Sequence, residues 1–99
     1  MIALDEFQAL TQSIGEYAVD LIGRDALAGL QVIFDRRNRS GQVSIALVEP
    51  SGDEQLRVIA CMFEVEQMFK DEAITSYSFV DVIDEEVDAR ETIRQYSLV

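Results

Sequence analysis

The chain contains no histidine and no tryptophan, a single cysteine, a single proline and only eight basic residues among 99. Without histidine there is no imidazole general base, no Ser-His-Asp triad and no histidine metal ligand. One cysteine cannot build a zinc site of the usual kind, and it cannot form an internal disulfide. Neither G-x-G-x-x-G nor G-x-x-x-x-G-K-[ST] occurs, so nucleotide binding has no support, and no cofactor is expected. The acidic run Asp81-Val82-Ile83-Asp84-Glu85 lacks the central glycine and the spaced oxygens of a calcium loop, and no metal site is expected. No apolar stretch approaches the ~20 residues that span a bilayer. The opening Met1-Ile2-Ala3-Leu4-Asp5-Glu6 has neither the basic nor the apolar region of a secretory signal. The expectation is a cytoplasmic protein that does not engage a membrane.

What is abundant is negative charge. The net charge is −11, and it is unevenly distributed. Residues 1–48 carry six acids against four bases, whereas residues 49–99 carry thirteen against four. Direct binding to nucleic acid depends on Lys and Arg and is not expected here. A basic protein is the natural complement of such a surface. The only basic cluster is Arg36, Arg37 and Arg39, which suits an internal role against the acidic half or an ordinary solvated loop. An apolar content of 48% places the chain among folded proteins, and its length suits one domain over residues 1–99.

Hydrophobic periodicity predicts an α+β fold. Phe7, Leu10, Ile14, Tyr17 and Leu21 form one apolar stripe of a helix over Leu4–Ile22, closed by Gly23. The period then changes to two. Leu30, Val32 and Phe34 define a first strand, Arg36–Gly41 a loop, and Val43, Ile45 and Leu47 a second strand. Pro50-Ser51-Gly52-Asp53 reads as a turn, and Gln55–Phe63 as a third strand. Residues Glu64–Ala73 extend that strand or form a short helix. Thr75–Ile83 is a fourth strand, and Asp84–Gln95 a possible short C-terminal helix. The expected architecture is an N-terminal amphipathic helix packed on a four-stranded antiparallel meander.

Two surfaces follow from that reading. The first is acidic: Glu64, Glu66, Asp71, Glu72, Asp81, Asp84, Glu85, Glu86 and Asp88. It suits a non-catalytic binding module that meets a basic partner, such as an inhibitor, an immunity protein or a nucleic-acid mimic. The second is apolar. The strands carry apolar residues on both faces, and one helix covers only one of them. Ile33, Ile59, Phe63 and Phe79 would then lie on an uncovered face, which a homodimer would mask. A small dimeric chaperone or adaptor that grips an extended segment of its partner is the alternative function. Cys61 lies in the apolar run Val58–Phe63 and reads as a small core residue. Because Asp84, Glu85, Glu86 and Asp88 repel one another, the melting temperature is expected to rise as salt increases from very low to moderate. A flat or falling curve would mean that the arginines already compensate the acids.

Overall fold

The computed structural model describes residues 6–35, 37–81 and 92–96. Helix α1 (Glu6–Ile22) buries Leu10, Thr11, Ile14, Ala18, Val19 and Ile22, a stripe at helical spacing. Its centre is rotated from the expected one, so that Tyr17 and Leu21 lie at the margin. The Phe7 side chain is outside the described residues. Gly23 ends the helix: its N–H donates to the Val19 carbonyl at 2.8 Å, and its φ of +97° is open to glycine at little cost. A 3-10 turn (Arg24–Ala26) leads into strand β1 (Leu27–Asp35).

Strands β1 and β2 (Ser40–Leu47) form an antiparallel hairpin in which Leu30 pairs with Ile45 and Val32 with Val43. Asp35 organises the connection. Its carboxylate accepts hydrogen bonds from the Arg37 N–H at 2.9 Å and from Asn38 Nδ2 at 2.8 Å. Arg39 adopts a left-handed φ of 50° there.

The segment expected to be a third strand is a helix. Helix α2 runs Gly52–Phe69, and Ser51 is its N-cap, its hydroxyl accepting from the Glu54 N–H at 3.2 Å. Val58, Met62, Val65 and Phe69 point into the core, a 4-3-4 spacing that only a helix satisfies. The expectation failed because Val58–Phe63 is continuously apolar, which reads equally as a strand buried on both sides. Ser51-x-x-Glu54 is the sequence signal that identifies the helix start. Part of the expected turn is therefore a helix cap.

With α2 inserted, the sheet is not an antiparallel meander. Strand β3 (Ile74–Phe79) pairs in parallel with β2, as Val43 with Tyr77 and Ile45 with Phe79. A parallel neighbour requires a crossover connection, and α2 is that crossover. Strand β4 (Thr92–Tyr96) pairs antiparallel with the other side of β1. This replaces the end of the expected C-terminal helix; residues 84–91 lie outside the described residues. The order is β3-β2-β1-β4, a mixed sheet.

Both helices cover one face of the sheet. Leu30, Val32, Phe34, Val43 and Ile45 are fully enclosed there against α1 and α2. Ile14 reaches down to β2, where a Cβ on Gly41 would touch its Cδ1 at 3.6 Å. The opposite face is not the apolar surface expected from four strands. In register it presents Gln31, Ser44 and Ser78, and Ile33, Gln42 and Ser76. Gln42 joins β2 to β3 on that face: its Nε2 donates to Ser78 Oγ at 3.3 Å and its Oε1 accepts from Ser76 Oγ at 2.7 Å. The apolar residues assigned to that face from the third strand belong to α2 instead.

Ile14 is completely buried where α1 meets the hairpin. Ile14→Ala is expected to destabilise the protein by about 2–5 kcal/mol, measured by denaturant unfolding. A variant that unfolds like the parent would show that α1 does not anchor the sheet.

Candidate protein-binding surface

Helix α2 has two apolar faces. The inner one is core. The outer one exposes Leu56 at 66%, Ile59 at 39% and Phe63 at 61%, and Met68, also exposed, stands on the flank toward α1. Four of the six large exposed apolar side chains of the described residues therefore lie on this one helix, the others being Val48 and Ile74. Leu56, Ile59, Ala60 and Phe63 stand at i, i+3, i+4 and i+7, so they share one side of the helix. Beside them, Tyr17 of α1 with Phe63, Glu64, Gln67 and Met68 lines a shallow cleft between the two helices.

Acids frame the outer stripe. Glu64 and Glu66 do not share a face, as they would on a strand. Two residues apart on a helix, they flank the stripe on either side, Glu64 toward the cleft with α1. Asp71 and Glu72 are exposed in the turn after the helix. Asp81 is not across a turn from Asp71. Because β3 runs parallel to β2, Asp81 follows the far end of β3 and lies beside Pro50 and Gln55, near the start of α2. Asp84, Glu85, Glu86 and Asp88 are outside the described residues. The described members of the expected acidic set are thus divided between the two ends and the two flanks of α2.

The four apolar interface residues separate as well. Ile59 and Phe63 come together on α2, where they are joined by Leu56, which is absent from the residues expected at the interface. Ile33 is half-buried on the polar side of the sheet. Phe79 faces the helices, half-buried against the core and edge-on to Tyr77, with ring centroids 6.1 Å apart.

The basic groups near α2 are largely engaged. Arg57 donates to Glu54 through Nε at 2.8 Å and Nη2 at 3.2 Å, one turn apart on the helix. Those hydrogen bonds hold the Glu54 carboxyl below the usual carboxylate range and raise the Arg57 guanidinium. The pair is therefore lost as pH falls through the lowered pKa of Glu54, and salt screens it. Arg39 Nε donates to the Glu72 carbonyl at 3.0 Å, which ties the hairpin loop to the turn after α2. That contact is to a backbone carbonyl, not to a carboxylate of the acidic half. Among the described residues, no group of three or more His, Cys, Asp or Glu could hold a metal ion. No helix of the described residues is long and apolar enough to cross a membrane.

Cys61 is half-buried on the side of α2 that meets α1, its thiol 3.6 Å from the Leu21 carbonyl oxygen. Burial pushes this thiol up, with Arg57 pulling the other way and Glu64 adding to the rise. It is expected to react with iodoacetamide at neutral pH more slowly than the same cysteine in denaturant. Equal rates would place Cys61 in an open or activating environment. Comparison with family models, with curated proteins and with solved structures returned no match.

Proposed function

We propose that this chain is a non-catalytic protein-binding module whose partner docks on the outer face of α2, within its acidic frame. One observation carries the reading: a helix already buried on one side repeats large apolar side chains along the other. Single exposed apolar residues are ordinary, but a contiguous row rimmed by charge is the pattern of an interaction surface. Burial of that row against a partner contributes about 25 cal/mol per Å² of apolar area. The acids at its edges favour a basic partner and speed the encounter. An inhibitor or immunity protein that meets a basic protein fits this surface.

A second reading, a dimeric adaptor that grips an extended segment, has one observation of its own. Strand β3 lies at an edge of the sheet, and Ile74-Thr75-Ser76-Tyr77-Ser78-Phe79 contains no charge and no proline to guard it. An extended chain can add to such an edge through backbone hydrogen bonds. Binding there would persist in salt, whereas binding within the acidic frame would weaken.

Photo-crosslinking separates these surfaces. A p-benzoylphenylalanine placed at Phe63 is expected to give adducts with a second protein in an extract of the cells that make this chain. The same group at Ile74, exposed on the edge strand β3, is expected to give none. Adducts from Ile74 alone, or none from Phe63, would remove α2 as the binding face.

A further inference from the structure

We infer that the element received by α2 is an amphipathic helix of a partner protein, with apolar anchors on one side and Lys or Arg along its flanks. The inference rests on the protein-binding reading above and adds the chemistry of the occupant.

The spacing on α2 supplies the geometric argument. Leu56, Ala60, Phe63 and Gln67 follow one another at 4-3-4 intervals, the seam of a heptad repeat in which Leu56 and Phe63 take d and Ala60 and Gln67 take a. The buried residues Val58, Met62, Val65 and Phe69 fall at c and f, on the far side. The helix therefore carries a short second seam, apolar at Leu56, Ala60 and Phe63 and polar at Gln67, that its own core does not use. Leu56, Ile59, Ala60 and Phe63 also make up the four corners of a knob-into-hole socket. Ala60 is short between larger neighbours, so the floor of that socket is low enough to receive a side chain. From Leu56 to Gln67 the seam is about 16 Å long, at ~1.5 Å per residue. A partner helix of about three turns would match it.

Charge supplies the choice between a foreign helix and a second copy of this chain. Glu64 occupies e and Glu66 occupies g, the positions that set partner preference in paired helices. Arg57, the basic residue at e one heptad earlier, is bound to Glu54. Two copies of α2 pairing through this seam would bring together chains that each carry −11, a repulsion that a basic partner does not meet. A helix with Lys or Arg at its own e and g positions meets Glu64 and Glu66 favourably.

The test uses the full chain and two labelled three-heptad peptides with Leu and Ile at a and d. One carries Lys at e and g, the other Glu. The Lys peptide is expected to bind at least about tenfold more tightly by fluorescence anisotropy and to weaken as salt rises. Phe63→Ser, an exposed change that should leave folding intact by circular dichroism, is expected to weaken the Lys peptide about tenfold. The double variant Glu64→Lys, Glu66→Lys is expected to lose the preference for Lys over Glu. Equal affinity for the two peptides, or an affinity that Phe63→Ser leaves unchanged, would overturn the proposal. So would light scattering that finds a dimer which Phe63→Ser dissolves, because the occupant would then be a second copy. Crosslinks from Phe63 to another protein, with neither peptide bound, would remove the basic helix and leave the binding face. Failure of both would remove both.

Discussion

Burial of one face of the sheet under two helices is the constraint on which the other features depend. Leu30, Val32, Phe34, Val43 and Ile45 project to the same side and must be covered. Helix α1 covers β1 and β4, and α2 covers β3, the two lying side by side over the sheet. The second helix is also the chain's route from β2 to a parallel β3. Coverage and connectivity are thus met by one element. On the other face of the sheet Gln42 hydrogen-bonds to both Ser76 and Ser78 and so links β2 to β3.

That division of labour fixes which residues of α2 matter to folding. Val58, Met62, Val65 and Phe69 are the core set, while Leu56, Ile59, Ala60 and Phe63 contribute little to the packing of the sheet. The core-facing and the solvent-facing apolar side chains are therefore different residues of the same helix. A rigid helix held on its inner side also presents its outer side with little left to order when a partner arrives.

The parts legible in the sequence are those in which one period dominates. Helix α1 and the hairpin of β1 and β2 follow from clean 3.6- and 2-residue patterns, separated by Gly23 and by the polar loop. The place of β3 follows from its β-formers. Helix α2 was not legible as a helix, because inner and outer apolar residues together fill Val58–Phe63 and erase the period. The Ser51-x-x-Glu54 cap was the remaining signal. One misread element then propagated: it made the meander, put Glu64 and Glu66 on a common face, and gave the sheet a second apolar side. The candidate surface was legible in content, since Ile59, Phe63, Glu64 and Glu66 were all selected from sequence. Their arrangement was not, because it depends on turning a strand into a helix.

Acidity read from composition has two ordinary explanations, solubility and recognition, and on the proposed reading of α2 one set of carboxylates would serve both. An apolar seam on the outside of a helix invites pairing between copies. Placing Glu64 and Glu66 along its flanks, on a chain with a net charge of −11, opposes that pairing through like-charge repulsion. The same carboxylates lower the free energy of a helix that brings Lys or Arg to those positions. Selectivity of this kind works by rejecting the wrong partner as much as by holding the right one. On that proposal the apolar residues supply the area, and the acids favour a basic surface over a second copy of this acidic chain to cover it.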